Sequence, residues 1–222
     1  MKNLTLIIPA KNESESLPIV LRELKKFNYS INIILHKSDT KTINALKNHE
    51  VKILYQTNLG YGDALIYGIE HCKTDYFCIF NADGSFDPSE IDSMIKKLVN
   101  ENLDFIFASR YEKNSSSDDD TFVTIIGNFI FTKLGNLLFN LNISDILYTF
   151  VIGKTSSANK LLLSQKDFTF CVELPIKAKK EGMNISSINA HERKRIAGKK
   201  KVNAFKDGFL ILIHMIKLFL RR

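Results

Sequence analysis

Where one short apolar run ends, the chain reads Asn81-Ala82-Asp83-Gly84-Ser85-Phe86-Asp87-Pro88. A carboxylate fixed just past a strand, with amide and hydroxyl oxygens beside it, suits Mg²⁺ or Mn²⁺. These ions take oxygen donors and share their shell with water and substrate phosphates. The same Asn-Ala-Asp-Gly also makes an ordinary turn. Arg110 follows another apolar run, 103–108, and would stand at the same sheet edge, either as a phosphate contact or as a surface arginine. A third candidate is the basic run His191-Glu192-Arg193-Lys194-Arg195, then Gly198-Lys199-Lys200-Lys201, which precedes the apolar segment 209–220. A basic cluster beside an apolar helix with Lys206, His214, Lys217 and Arg221 along one stripe suits an anionic membrane surface. The helix reads equally well as a core element or as the contact of a homo-oligomer. Residues 191–201 lack the aromatic side chains on which single-strand binders stack bases, so nucleic acid is not an expected partner.

Two nucleotide signatures fail. Gly60-Tyr61-Gly62 lies between a strand and a helix, but Leu65 stands where the dinucleotide fingerprint needs its third glycine. Gly153-Lys154-Thr155 resembles the end of a P-loop, yet the position five before Gly153 is Tyr148, so the phosphate-cradling turn is missing.

The 222 residues, 45% hydrophobic and 25% charged, exclude disorder, collagen and a disulfide scaffold, and suffice for one core without cross-links. Net charge is +7, but residues 191–222 hold ten Lys/Arg against two acids, so the rest sums to −1. An anionic partner therefore meets mainly the C-terminal end. Cys72, Cys78 and Cys171 form no C-x-x-C pair, which fits a reducing cytoplasm. Residues 4–8 are too short for a signal peptide and 209–220 too short for a bilayer span, so the chain is not expected to cross a membrane.

These residues need a sheet edge to hold them. Short apolar runs alternate with helical patterns, as in βαβ units around a mostly parallel sheet. Strands are expected at 4–8, 31–35, 51–55, 76–80, 103–108, 146–152 and 184–190. Helices are expected at 17–27, 42–47, 63–72, 89–99, 125–141, 156–163, after 170–173 up to 180, and at 202–220. Residues 112–120, with three serines and three aspartates, read as a solvated, mobile joint between two halves.

Each motif is soft alone, but their order is specific. Ile8-Pro9-Ala10-Lys11-Asn12-Glu13 comes first, then Asn58-x-Gly60-x-Gly62-x-Ala64-Leu65, then Asp75-Tyr76 and a strand into Asn81-Ala82-Asp83-Gly84-Ser85-x-Asp87-Pro88-x-Glu90-Ile91, then Ala108-Ser109-Arg110-Tyr111. Gly127-Asn128, Glu173-Leu174-x-Ile176-Lys177-Ala178, His191-x-Arg193, and Gly198-Lys199-Lys200-Lys201-Val202-Asn203 before Asp207-Gly208 follow. The chain resembles the family-2 glycosyltransferases of the GT-A fold, and most of all the dolichyl- or polyprenyl-phosphate sugar synthases.

The resemblance implies an α/β, Rossmann-like GT-A domain over 1–222, with a nucleotide-sugar-binding half (1–111), an acceptor-side half (112–201) and an amphipathic basic helix (202–222). It implies a metal-dependent inverting transfer from a UDP- or GDP-sugar to a lipid phosphate, at the cytoplasmic face of a membrane. Pro9, Ala10, Asn12 and Glu13, with Asp39, Gly60, Asn81 and Ala82, would bind the donor. Asp83, with Asn81 and Ser85, would hold Mg²⁺ or Mn²⁺. Arg110 and Arg193 would neutralise phosphate charge, and Lys199, Lys200 and Lys201 would lie on a loop closing over the site. A lipid phosphate is already an anion near neutral pH and needs no general base; a sugar hydroxyl would need one, and Asp145 is the candidate. The chain departs from the family pattern at Asn81, where Asp is usual, and at His36-Lys37, where acids are usual. It departs again at Tyr148-Thr149-Phe150-Val151, in place of Ser-Gly-Phe-Arg, and at Tyr61, in place of Lys. A catalytically weak or inactive relative that binds a nucleotide or a partner is the alternative.

Overall fold

The structure is a computed structural model, and it describes residues 3–198 and 200–220. Nine strands and eight α-helices follow one another in these residues. In chain order they are β1 (Leu4–Pro9), α1 (Leu17–Leu24), β2 (Ser30–His36), α2 (Thr40–Ala45), β3 (Lys52–Gln56), α3 (Tyr61–Glu70), β4 (Tyr76–Ile79), α4 (Ile91–Asn100) and β5 (Phe105–Ser109). There follow β6 (Ser116–Ser117), α5 (Phe122–Phe139), β7 (Val151–Lys154), α6 (Thr155–Lys160), α7 (Phe170–Lys180), β8 (Ile185–Asn189), β9 (His191–Glu192) and α8 (Ala204–Leu220).

Seven strands form one sheet in the order β3-β2-β1-β4-β7-β5-β8, and β6 pairs with β9 apart from it. Every neighbouring pair in the large sheet is parallel except those made by β7, which runs antiparallel to both β4 and β5. The alternation of β1 shows why the sheet is buried on both faces. Leu4, Leu6 and Ile8 point into a core shared with α1 and α4, while Ile7 points into the other core, with α3, α6, α7 and α8. Because β7 belongs to the second half and sits inside the sheet of the first, the two halves are interleaved rather than separate bodies.

Two expectations are corrected here. The strand expected at 146–152 begins only at Val151. Residues 143–150 are apolar but irregular, because Ile146 N and Leu147 N donate to Thr132 Oγ1 and Asn128 Oδ1 of α5 rather than to a neighbouring strand. The segment 112–120 is not a free joint. Ser116 and Ser117 pair with His191 and Glu192, and Asp119 and Asp120 are largely buried against arginines.

Candidate active site

The carboxyl ends of β1, β2, β4 and β5 lie at one edge of the sheet, where open α/β sheets place their ligands. After β1 the chain turns through Asn12, whose φ of 55° is left-handed. Asp39, the N-cap of α2, fixes that turn. Its carboxylate accepts from Asn12 N at 2.7 Å and from Thr42 N at 3.2 Å. Glu13 is buried; its N–H donates to Thr42 Oγ1 at 3.0 Å, and its carboxylate accepts from Ser16 Oγ at 2.7 Å and pairs with Lys201. Ala10 and Ala82 are buried at the ends of β1 and β4.

The turn after β4 gathers three oxygen-bearing side chains. Asn81 Nδ2 donates to Ser85 Oγ at 3.1 Å, and Ser85 N donates to Asp83 Oδ1 at 3.0 Å. Across this turn lies the segment after β9, tied by Arg193 N to Ser85 O and Ile196 N to Asp83 O, both at 2.8 Å. Gly84 has φ 83°, and a Cβ there would come within 2.4 Å of the Ile196 side chain, so glycine is what lets the two segments touch.

The basic residues are distributed differently from the sequence expectation. The Arg193 guanidinium is held beside this turn. It forks onto Glu23 of α1 at 2.8 and 3.0 Å and donates to Phe86 O at 2.7 Å. Among the described residues, the guanidinium nearest Asp83 is that of Arg195, 3.5 Å from Oδ2. Lys200 pairs with Asp119 and Lys201 with Glu13. Lys199 lies outside the described residues.

Arg110 and Asp145 are brought together, but with each other. Arg110 Nε and Nη2 donate to Asp145 at 2.7 and 3.1 Å, and Nη1 reaches Asp120 at 3.1 Å and Glu192 at 3.2 Å. The guanidinium also stacks 4.6 Å from the Tyr148 ring. Burial disfavours its charge, yet the three carboxylates hold it protonated well above the usual range. Asp145 is fully buried, with both oxygens accepting from Arg110. The residues expected as phosphate contact, Arg110, and general base, Asp145, form a buried ion cluster in this structure.

Gly60 has a packing role. The loop before α7 crosses the Gly60-x-Gly62 turn so closely that a Cβ at Gly60 would lie 2.1 Å from Lys166 O, and one at Gly62 2.1 Å from Gln165 O. Buried Glu173 holds that loop by accepting from Ser164 N and Gln165 N and pairing with Lys177 at 2.8 Å. Burial works against its charged form, but these partners outweigh it and keep its pKa low. Tyr61 stacks on Phe168 of the same loop and bonds Thr149 Oγ1 at 2.6 Å.

Residues 5–162 match the glycosyl transferase family 2. The chain belongs to that family. The glycosyltransferase is 26% identical to the UDP-N-acetylglucosamine–dolichyl-phosphate N-acetylglucosaminyltransferase of Methanococcus voltae, with 84% of each chain covered. It is 22% identical to an uncharacterised glycosyltransferase of Mycobacterium bovis, with 94% of each covered. Its fold matches glucosyl-3-phosphoglycerate synthase from Mycobacterium tuberculosis solved with Mn²⁺, UDP and glucosyl-3-phosphoglycerate. That likeness has TM-score 0.74 and 12% identity, over 98% of this chain and 78% of that one. The same enzyme with UDP alone matches at TM-score 0.75 and 12% identity, over 97% and 79%. The GT-A fold, with its mostly parallel sheet and C-terminal helix, is thus confirmed.

The oxygens at the turn after β4 are of the kind a divalent cation takes. Among the described residues no three His, Cys, Asp or Glu side chains converge into a ready-made cage. Asp83, Asn81 and Ser85 do form a compact set of hard oxygens, and Mg²⁺ and Mn²⁺ commonly make do with one or two carboxylates when phosphates complete the shell. Arg195 is a residue that sequence reasoning took only as part of the basic run 193–201, without singling it out.

Proposed function

We propose that the glycosyltransferase moves a sugar from a UDP- or GDP-sugar to a polyprenyl or dolichyl phosphate by a metal-assisted inverting displacement. The convergence of 9–13, Asp39 and the Asn81–Ala82–Asp83 turn on one sheet edge carries this reading. Pro9, Ala10, Asn12 and Glu13 would line the base and ribose, with Asp39 fixing their turn. Asp83, with Asn81 and Ser85, would hold Mg²⁺ or Mn²⁺, which when bound offsets the charge of the departing diphosphate. Gly60 would contribute by letting the Lys166 backbone pass close beside the turn before α3.

Two observations favour a phosphate acceptor over a hydroxyl. A phosphate needs no base, and the one carboxylate proposed as base, Asp145, is committed to Arg110. The second is the surface of α5 and α8. Among the described residues, these adjoining helices carry 13 of the 21 exposed large hydrophobic residues, including Phe122, Phe129, Phe205, Phe209, Phe219 and Leu220. The sequence reading expects this helix at 125–141 but does not weigh it as a span; its 18 residues, Phe122–Phe139, have mean hydropathy 1.5, enough by length and composition to cross a membrane. Asn128, Thr132 and Asn136 tie it instead to 143–147, so it lies along the domain. Asp207 is the only acid on the two helices, whereas Lys133, Lys206 and Lys217 stand among the apolar residues. Two copies pressed face to face would set lysine against lysine, while an anionic leaflet complements them. The basic stripe of α8 is thinner than expected. His214 turns partly inward, where burial lowers its pKa, and Arg221 lies outside the described residues.

Calorimetry with UDP and GDP, with and without Mn²⁺, tests the donor site. Metal-dependent binding lost in Asp83→Ala supports it, and metal-independent binding indifferent to Asp83 overturns it. Asn81 favours one second reading, a relative that binds nucleotide but transfers slowly. That reading predicts normal binding with no labelled sugar appearing on polyprenyl phosphate in vesicles.

A further inference from the structure

Among the described residues, the cation nearest the Asp83 carboxylate belongs to the chain itself, to Arg195. Asp83 Oδ1 is taken by Ser85 N, and Oδ2 faces Arg195 Nη1 at 3.5 Å. Arg195 has a second, tighter partner. Its Nη2 donates to Asp119 at 2.8 Å and its Nε at 3.4 Å, whereas the approach to Asp83 is an ion pair without a hydrogen bond. The backbone around it is strapped to the same turn, through Ile196 N to Asp83 O and Arg193 N to Ser85 O. Glu13, another acid of the donor edge, is likewise neutralised from this stretch of chain, by Lys201.

This arrangement makes Asp83 a shared resource. A divalent cation at Oδ2 and a guanidinium at Oδ2 repel each other at contact distance, and in the free protein no diphosphate lies between them to absorb the charge. One must leave. Arg195 can do so without being stranded, because its hydrogen bonds to Asp119 do not involve Asp83.

We propose that Arg195 holds Asp83 in the nucleotide-free protein and yields it to the divalent cation, staying paired with Asp119, so that Arg195 sets how tightly the free protein takes metal. The inference rests on the metal-site reading above and concerns a residue that reading does not use. The consequence is a site that discriminates between bare metal and metal–nucleotide. A lone ion must displace the guanidinium, whereas an ion carrying a diphosphate offers that guanidinium new oxygens to face.

The test is titration of Mn²⁺ alone into the nucleotide-free full-length protein, followed by calorimetry, for wild type, Arg195→Gln, Arg195→Lys and Asp83→Ala. Arg195 is partly exposed, and thermal melting verifies that each variant is folded. Arg195→Gln is expected to bind Mn²⁺ about fivefold tighter, the scale of releasing one partly buried ion pair. Arg195→Lys keeps the charge and should stay near wild type. Unchanged or weaker Mn²⁺ binding in Arg195→Gln, or no binding in either protein, overturns the proposal. Asp83→Ala separates the two levels. If it abolishes Mn²⁺ binding while Arg195→Gln does nothing, the metal site stands and the role of Arg195 falls. If Mn²⁺ binding ignores Asp83, the metal site itself is wrong.

Discussion

Arg110 and Arg195 are served by adjacent residues of one segment, Asp120 and Asp119, yet they sit in different physical regimes. The Arg110 side chain is 10% exposed, and its three partners are no more exposed than that. Arg195 is 21% exposed, with partners at 14% and 16% and one contact at 3.5 Å. Full burial turns an ion pair into scaffold, because removing either charge strands the other in a poor solvent. Partial burial leaves the pair exchangeable, since water and incoming ligands compete for it. Phe86 and Tyr148, with ring centroids 4.9 Å apart, join the two regions, so a rigid cluster backs a yielding one.

The largest effect expected from breaking this contrast is at Arg110. Arg110→Met leaves three buried carboxylates unpaired and should cost about 3–5 kcal/mol in urea unfolding. Arg110→Lys should recover only part, because one ammonium cannot replace the fork onto Asp145. An Arg110 variant of full stability with weakened binding alone would return that residue to a ligand role. Next comes Asp83→Ala, expected to weaken Mn²⁺-dependent nucleotide binding by on the order of tenfold or more while leaving the unfolding midpoint nearly unmoved. A double-mutant cycle on Arg195 and Asp119 should give a coupling of about 0.5–1 kcal/mol. A coupling as large as that of Arg110 with Asp145 would erase the distinction.

The smallest effect is in the pH response, which should differ in sign between the two clusters. Burial works against the ionised Asp119, but Arg195 and Lys200 outweigh it and hold its pKa below the usual value. Its stabilising contribution is therefore present above the unfolded carboxylate pKa and lost as pH falls through the lower folded one. Glu192, beside Arg110, is shifted the other way. Burial raises its pKa despite the attraction of Arg110, so its contribution is present at low pH and lost as pH rises through the folded value. Melting temperatures of Asp119→Asn and Glu192→Gln against wild type, followed from pH 3 to 7, should diverge from it in opposite directions. Parallel curves would mean that both acids answer to the same environment.

The sequence was legible where one residue type has one structural use. The apolar runs became β1 to β5 within one or two residues, and Asp83 fell at the strand end expected of it. Legibility failed where side chains compete with backbone for hydrogen bonds. Residues 143–150 looked like a strand because they are apolar, and only the Asn128 and Thr132 side chains reveal why they are not. Asp119 and Asp120 looked solvated because the local run does not show that Arg195, 76 positions on, and the buried Arg110 fold against them. Arg193 and Arg195 are two residues apart and indistinguishable by composition. Strand β9 and the turn after β4 decide which of them meets Asp83.

Strand β7 has a consequence for the making of the protein. It fills the gap between β4 and β5, so the middle of the sheet is completed by residues that leave the ribosome more than forty positions after β5 begins. At roughly 5–20 residues per second, β4 and β5 wait for seconds with facing edges bare, and unpaired strand edges are where nascent chains aggregate. The polar stretch of 112–120 separates those edges from apolar α5 during that interval. A chain interrupted before Val151 would carry nearly all of its donor-edge acids and still have no closed sheet to hold them.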